Sequence, residues 1–259
     1  MRAGFELTKW YLDGVTAGGG AVVLYWAELC WHRLSLHYAS TLRLENGRLD
    51  ERWTLNPGPP PSCGADTVAW DCSALDLRGG WRGPLAAEGR HTLLSRDERH
   101  LSWHCLQPFA QAELSLGGQR LSATGYTERL SLTLPPWELP IAELRWGRAH
   151  AGGHSVVWID WTGEPSYQLV LVDGRVRAGG AATAGQVTAS GLRLTLGARA
   201  VLREGPILGT SLGRVPGLAP LLSSVGLHID EHKWLSPVTL RLDGAEMNGT
   251  ALHEVVRWL

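Results

Sequence analysis

The sequence predicts an all-β protein composed of two tandem antiparallel β-barrels. Nearly every apolar segment alternates apolar and polar residues with a period of two, which is typical of strands. Most of these segments end at a glycine-containing turn, as hairpins do. No amphipathic run with a period of 3.6 residues is present, apart from a candidate turn of helix at residues 218–224.

The first half of the chain is a series of predicted strands separated by turn signals. Asn46-Gly47 is the strongest short hairpin signal, and Gly79-Gly80 and Gly117-Gly118 predict further turns. Residues 56–64 are too rich in proline for the interior of a sheet, because proline cannot donate to a ladder. The strands predicted in this half are 21–27, 33–38, 41–44, 49–55, 68–77, from 81 onward, 99–106 and 121–134.

The second half begins at a proline-bounded corner, residues 135–140, which joins the strand at 121–134 to the next predicted strand. Turns are predicted at Asp173-Gly174 and Asp243-Gly244. The strands predicted in this half are 154–161, 167–172, 186–196, 198–202, 227–234 and 238–242.

A weak internal repeat relates the two halves. GGGAVVLYWA at 18–27 is similar to GGHSVVWIDW at 152–161, and GGQRLSATGYTERL at 117–130 is similar to DGAEMNGTALHEVV at 243–256. In the second pair Glu128 aligns with Glu254. We therefore predict one barrel over residues 1–134 and a second over residues 135–259. Closure into barrels would also protect the edges of so many strands.

The composition excludes several classes of function. The formal net charge of −1 provides no field to attract nucleic acid. No segment approaches the roughly 20 apolar residues of a membrane span, and the N-terminal residues lack the apolar run of a signal peptide. Four cysteines without a CxxC pair suit reduced thiols. We expect a soluble cytoplasmic protein, monomeric or homodimeric, whose 13 tryptophans fill a core or line a cavity.

The central part of the chain concentrates the residues that could carry chemistry. Residues two apart in a strand share a face, so Tyr126 would lie beside Glu128, and Trp158 beside Asp160. An acid next to an aromatic ring on an inner face suits proton transfer in an apolar pocket. The alternative is that these four residues simply close the core.

Four short motifs in the chain resemble a known superfamily. They are KWYLDG (9–14), TGYTER (124–129), WGR (146–148) and VVWIDW (156–161). Together they resemble the hydroxyneurosporene synthase (carotenoid 1,2-hydratase)/AttH lipocalin-like superfamily. This resemblance implies two calycin-like (lipocalin-like) barrels around an apolar cavity, with neither a metal nor an organic cofactor. It also implies kinship with carotenoid hydratases and with double-barrel Diels–Alderases.

The match to the hydratases of that superfamily is incomplete at the level of residues. They carry a Gly-Tyr-His-Asp-His-Asn-Trp-Gly run at the position of residues 125–132. Here Gly-Tyr is kept, Glu128 replaces the Asp, Arg129 replaces the second His, and a serine replaces the Trp. The family's downstream aromatic-x-Asp pair is kept as Trp158 and Asp160. The resemblance thus implies a retained acid among different neighbours.

These patterns predict a cofactor-independent hydratase, isomerase or cyclase that acts on a C=C bond of a large terpenoid or polyketide. Asp160 would be the general acid, with Glu128 and Tyr126 as its catalytic partners. Arg148 would stack on an indole or hold Glu128 ionised. The predicted substrate-binding residues are Trp158, Trp146, Arg148, Arg129 and His150. The alternatives are a non-catalytic carrier of a hydrophobic molecule and a structural relative with a filled core.

One sequence pattern resembles a metal site. His228-x-Asp230-x-His232 would place three potential ligands on one face of a strand. Strands with two histidines are common, and this pattern alone is a weak signal. We therefore predict no metal.

Overall fold

The computed structural model describes residues 4–206 and 228–259, and it confirms the all-β class. Helical structure within those ranges consists of two short 3-10 turns, Ser73–Leu75 and Pro136–Glu138. No helix in the described ranges is long and apolar enough to cross a membrane. The helical turn predicted at residues 218–224 lies outside the described residues.

The described residues form 20 strands in two antiparallel sheets of ten strands each. The strands are β1 (Phe5–Thr16), β2 (Ala21–Trp31), β3 (Leu34–Glu45), β4 (Arg48–Thr54), β5 (Ser62–Cys63), β6 (Thr67–Cys72), β7 (Leu77–Arg82), β8 (Arg90–Arg96), β9 (Arg99–Leu116), β10 (Gln119–Leu132), β11 (Ile141–Ala151), β12 (His154–Gly163), β13 (Tyr167–Val172), β14 (Arg175–Val176), β15 (Ala181–Ala182), β16 (Gln186–Ala189), β17 (Leu192–Leu196), β18 (Ala200–Pro206), β19 (Ile229–Leu242) and β20 (Ala245–Trp258).

The first sheet curls around a core rich in tryptophan. Its strand order is β4-β3-β2-β1-β10-β9-β7-β6-β5, and β8 also pairs with β9. The 3-10 turn after β6 contacts β4 at the opposite end of this order, so the sheet bends back toward itself. The indoles of Trp10, Trp26, Trp70 and Trp81 lie in the core that it encloses.

The second sheet repeats this arrangement. Its strand order is β14-β13-β12-β11-β20-β19-β17-β16-β15, and β18 also pairs with β19. The short strand β15, at one end of the order, contacts β12 and β13 near the other end. Trp158, Val170, Leu194 and Leu240 belong to the core of this sheet.

The chain divides into two compact units that follow the two sheets. The first contains Met1–Pro135 with Asp173–Arg175, and the second contains Pro136–Val172 with Val176–Leu259. The sequence analysis placed the division after residue 134.

Strand register explains the internal repeat. Glu128 of β10 lies opposite Tyr11 of β1, and Glu254 of β20 lies opposite Trp146 of β11. Because β10 and β20 hold the same place in the two strand orders, the two glutamates occupy equivalent positions. This arrangement agrees with the alignment of Glu128 with Glu254.

The sequence analysis missed strand β11. It predicted that a corner would lead from residue 134 to the strand at 154–161, but Ile141–Ala151 forms a strand in between. The WGR motif lies inside this strand. Gly147 is needed there because a Cβ would overlap the indole of Trp158 and the Cβ of His253.

Four predicted turns are confirmed by positive φ angles: Asn46-Gly47, Gly117-Gly118, Asp173-Gly174 and Asp243-Gly244. One predicted turn and several predicted strand boundaries were wrong. The predicted strands 33–38 and 41–44 belong to the single strand β3, which begins at Leu34. Those predicted at 227–234 and 238–242 belong to β19, which begins at Ile229 and runs through Pro237, and residue 227 lies outside the described residues. Conversely, 68–77 is divided by a 3-10 turn, and 186–196 is divided between β16 and β17.

Gly79-Gly80 was predicted to be a turn but lies inside strand β7. A Cβ on Gly79 would lie 2.8 Å from both the Trp81 ring and the Leu114 side chain. Gly79 therefore leaves room for a core indole, whereas no atom lies within 4 Å of a Cβ on Gly80.

We expect Gly79→Ala to lower the free energy of unfolding by about 1–3 kcal/mol, because the added methyl overpacks the core. Gly80→Ala, on the same strand, is the matched control and should leave stability unchanged or slightly higher. Urea unfolding monitored by tryptophan fluorescence measures both. Equal midpoints for the two variants would contradict the packing role of Gly79.

Candidate functional site

Two of the predicted catalytic residues, Tyr126 and Glu128, lie together on β10 of the first unit. Their side chains share one face of the strand, and the Tyr126 hydroxyl donates a 2.7 Å hydrogen bond to Glu128 Oε2. The indole Nε1 of Trp103, on the neighbouring strand β9, donates to the same oxygen. Glu128 is thus held by two neutral donors.

Burial sets the electrostatics of this cluster. Tyr126 is 0% exposed and Glu128 is 7% exposed. Burial, together with the nearby Cys105 and Glu128, raises the pKa of Tyr126 well above its ordinary value. Burial also raises the pKa of the Cys105 thiol. At neutral pH the phenol and the thiol therefore keep their protons.

The cluster lies on the face of the sheet opposite the tryptophan core, not on the inner face that the sequence analysis assumed. In β1 the core residue is Leu12, whereas Tyr11 points the other way and lies opposite Glu128. The rings of Tyr25 and Tyr126 approach Tyr11 edge-on, with centroids 5.4 and 6.0 Å away. Aromatic rings therefore surround the acid.

Asp160 and Trp158 lie in the second unit, on the inner face of β12. Trp158 belongs to that unit's core, next to His253. The carboxylate of Asp160 accepts hydrogen bonds from the backbone N–H of Ala182, at 2.7 Å, and from Gln168, at 3.5 Å. The alternation that pairs Trp158 with Asp160 is confirmed. The role of Asp160 as a general acid stays a prediction.

Asp160 also has a structural function. Ala182 belongs to β15. Its backbone N–H donates to the carboxylate of Asp160 on β12, and its C=O accepts a 3.3 Å hydrogen bond from Arg145 Nη1 on β11. Two side chains thus fasten the end strand of the sheet where it curls over β12.

Three predicted substrate-binding residues, Trp146, Arg148 and His150, lie on the face of β11 opposite the second unit's core. The Lys233 ammonium lies 5.5 Å from the centroid of the Trp146 ring. Arg148 is 0% exposed, and its Nη1 lies 3.4 Å from His150 Nδ1. Their part in binding a substrate stays a prediction, as does that of Arg129, which is on the inner face of β10 beside Trp10.

The counterpart of Glu128 in the second unit has a different environment. Glu254 forms an ion pair with the fully buried ammonium of Lys233, which also lies 3.6 Å from Glu231. Lys233 faces Glu254 across strands β19 and β20, as Cys105 faces Glu128 across β9 and β10. Glu254 is therefore paired with an ammonium group, whereas the phenol of Tyr126 and the indole of Trp103 donate to Glu128.

The sequence analysis missed Trp103 and Cys105 as neighbours of Glu128. The Gly117-Gly118 hairpin alone would place Gln107 opposite Glu128. Two register shifts between Gly125 and Glu128 bring Cys105 there instead. A β-bulge of this kind leaves no clear sequence signal.

A buried histidine and serine pair was also missed. His253 Nε2 lies 3.0 Å from the Ser236 hydroxyl, and both residues are buried on the inner face of the second sheet. Burial, followed by the nearby charges of Arg199 and Lys233, lowers the pKa of His253 to about 3. The imidazole is therefore neutral and serves as a hydrogen-bonding core residue at neutral pH.

Of the candidate metal ligands, His232 and Asp230 are joined to each other by a hydrogen bond. His232 Nε2 lies 2.6 Å from Asp230 Oδ2, and His232 Nδ1 lies 3.4 Å from Glu204. His228 is exposed at the start of this segment. Among residues 4–206 and 228–259 no group of three or more His, Cys, Asp or Glu side chains could hold a metal ion.

Comparison with solved structures supports this fold over nearly the whole chain. CghA in complex with Sch210972 matches with a TM-score of 0.60 and 14% identity over 97% of this chain and 88% of CghA. A candidate AttH from Nitrosomonas europaea matches with a TM-score of 0.54 and 13% identity over 98% and 93% of the two chains. Kievitone hydratase from Nectria haematococca matches with a TM-score of 0.53 and 12% identity over 98% and 89%.

The predicted resemblance to AttH-like and hydratase-like proteins is thus confirmed at the level of the fold. No protein-family model matches the sequence, and no curated protein matches it.

We expect Asp160→Ala to lower the free energy of unfolding by about 1–3 kcal/mol, because the buried Ala182 N–H would lose its acceptor. The control is Glu246→Ala, which removes an exposed acid from strand β20 of the same unit. Thermal unfolding followed by circular dichroism measures both variants. If Asp160→Ala is as stable as the control variant, Asp160 does not fasten β15.

The low pKa of His253 predicts a pH dependence of stability. The unfolded chain takes up a proton near pH 6.5, and the folded protein takes it up only near pH 3. The contribution of His253 to stability is therefore complete above pH 6.5. It falls by about 1.4 kcal/mol per pH unit as the pH drops toward 3.

His253→Gln removes this titration. We expect the variant to be less stable than the wild type near pH 7 and the difference to shrink on acidification. Urea unfolding from about pH 7 to about pH 4 tests this, with the exposed His228→Gln as control. A difference that stays constant with pH would refute the assignment.

Proposed function

We propose that this protein is a cofactor-independent enzyme that moves a proton during hydration or isomerisation of a C=C bond in a large apolar molecule. The observation that carries the proposal is the buried Tyr126–Glu128 hydrogen bond among aromatic rings. Both residues occupy the run that resembles the catalytic run of the hydratases. We propose Glu128 as the group that accepts and returns the proton.

The structural matches support an apolar substrate. One matched protein is named as the hydratase of kievitone, and another was solved with the small molecule Sch210972. At 12–14% identity these matches carry the fold, and the substrate class is our proposal. The tyrosine rings around Glu128 provide apolar contact area for such a molecule.

The proposed chemistry needs no further reactant besides water. In isomerisation, Glu128 takes a proton from the carbon beside the double bond and the electron pair shifts. The acquired proton exchanges with water, and Glu128 then delivers a proton to the far carbon. In hydration of a double bond conjugated to a carbonyl, Glu128 takes a proton from water as the oxygen adds to the β-carbon. The α-carbon then receives that proton.

Tyr126 is proposed as a positioning residue. Its raised pKa keeps the phenol protonated, so the hydroxyl donates to Glu128 throughout the reaction. This hydrogen bond, together with that from Trp103, holds the carboxylate in one orientation. Such orientation lowers the entropic cost of reaching the reactive geometry.

Isotope labelling tests the proposal even when the product has not been identified. The protein is incubated with kievitone and with a panel of terpenoid and polyketide enones, in D₂O and in H₂¹⁸O. Isomerisation exchanges a carbon-bound proton for deuterium, and hydration gives a product heavier by one molecule of labelled water. We expect at least one compound to react.

With a reacting compound in hand, we expect Glu128→Gln to lower the rate about 10²- to 10⁴-fold, the usual contribution of general acid–base catalysis. Glu6→Gln, which alters an exposed acid on strand β1 of the same unit, should leave the rate unchanged. Tyr126→Phe should lower kcat more than it raises KM.

Three other outcomes would contradict the role of Glu128. If Asp160→Asn abolishes turnover and Glu128→Gln does not, Asp160 is the acid, as the sequence predicted. If Trp158→Ala abolishes a cyclisation that neither acid affects, the chemistry is pericyclic and depends on orientation. If compounds bind but none reacts, the protein is a carrier.

A further inference from the structure

We propose that Arg90, His104 and Arg129 form a binding site for the carboxylate of an apolar acid, whose hydrocarbon part extends from the arginines toward Trp10. The site is on the inner face of the first unit's sheet. Glu128 is on the opposite face, so this inference does not depend on the proposed reaction.

Strand register brings these side chains into one row. Arg90 of β8 lies opposite His104 of β9, which lies opposite Arg129 of β10. The row continues through Trp10 of β1 to Trp26 of β2. Because adjacent strands are about 4.8 Å apart, the two arginines begin about 10 Å from each other with the imidazole between them.

In the part of the chain that the structure describes, neither Arg90 nor Arg129 forms an ion pair with a carboxylate, and both are exposed. Two like charges about 10 Å apart on one face repel each other weakly. A bound anion would remove that repulsion and accept hydrogen bonds from both guanidinium groups.

The neutral state of His104 fits this arrangement. Burial, followed by the charges of Arg90, Arg129 and His91, lowers its pKa to about 4. At neutral pH the imidazole is therefore uncharged and can donate a hydrogen bond to an anion.

The row combines a charged part with an aromatic part, which points to an amphipathic ligand. The Arg129 guanidinium lies 5.9 Å from the centroid of the Trp10 ring. Trp10 and Trp26 belong to the tryptophan core and are 6% and 2% exposed. Two residues further along each strand, on the same face, a second row carries hydroxyl groups that can donate and accept hydrogen bonds. It consists of Thr92, Ser102, Ser131 and Thr8.

Competition binding with a fluorescent fatty acid tests the site. cis-Parinaric acid is titrated into the wild-type chain and then displaced by oleate, by oleyl alcohol or by inorganic phosphate. We expect oleate to bind about 10- to 100-fold more tightly than the alcohol, the strength of a charge-assisted hydrogen bond. Phosphate alone should not displace the probe. Equal affinities of acid and alcohol, or displacement by phosphate, would overturn the carboxylate assignment.

Variants locate the head group. Arg129→Gln and Arg90→Gln should each weaken oleate about 10- to 100-fold and leave oleyl alcohol unchanged. Arg120→Gln removes an exposed charge from the same strand β10 and should have no effect. Unchanged oleate affinity in both site variants would refute the proposal. Because both arginines are exposed, their replacement should not impair folding.

The imidazole of His104 gives an independent readout. In an NMR titration its pKa should rise when Arg129 is replaced by glutamine, because one of the depressing charges is gone. It should also rise when oleate binds to the wild type, since a carboxylate would then lie beside the ring. A His104 pKa that does not respond to saturating oleate would place the acid elsewhere.

Discussion

Burial on both faces of the central strands is the constraint on which the rest of this structure depends. All residues from Trp10 to Val15 on β1 are buried, and so are those from Ser155 to Trp161 on β12. Alternation therefore assigns neighbouring residues to two different interiors. On β10 this separates Glu128, with its tyrosines, from Arg129, beside the tryptophan core. The functional hypotheses for this protein follow from that separation.

The repeated sheet shows how one backbone position can take on different chemistry. Glu128 and Glu254 occupy equivalent positions, but Glu128 accepts hydrogen bonds from Tyr126 and Trp103. Glu254 pairs with Lys233 instead. A carboxylate paired with a buried ammonium is costly to separate from it. The hydrogen bonds from Tyr126 and Trp103 to Glu128 are the contacts on which the proposed proton transfer rests.

The sequence was sufficient to predict the class of fold because hairpin turns and alternation are local properties. It also paired Tyr126 with Glu128 and Trp158 with Asp160, since each pair lies two residues apart on one strand. It could not indicate which face is the inner one when both faces are apolar and buried. For the same reason the cluster around Tyr126 was assigned to the wrong face.

Contacts between residues far apart in the chain could not be predicted from the sequence for a different reason. Cys105 lies opposite Glu128 because the register between β9 and β10 shifts twice, which depends on packing rather than on a turn motif. Strand β11 was missed because its proline-bounded start resembles a corner. The row from Arg90 to Trp26 joins residues from five strands, and only the observed strand order brings them together.

The fastening of β15 has a consequence for the dynamics of the second unit. Strands β19 and β20 are joined by a ladder of fourteen residue pairs, so many hydrogen bonds must break together before they separate. At this seam the Asp160 and Arg145 side chains hold the main chain of a two-residue strand at Ala182. Local unfolding of the second unit should begin at β15, because regions with few contacts open most easily. In hydrogen exchange the amide of Ala182 would then lose its protection earlier than the amides of β19 and β20, and the seam would admit solvent or a ligand to the interior without unfolding of the sheet.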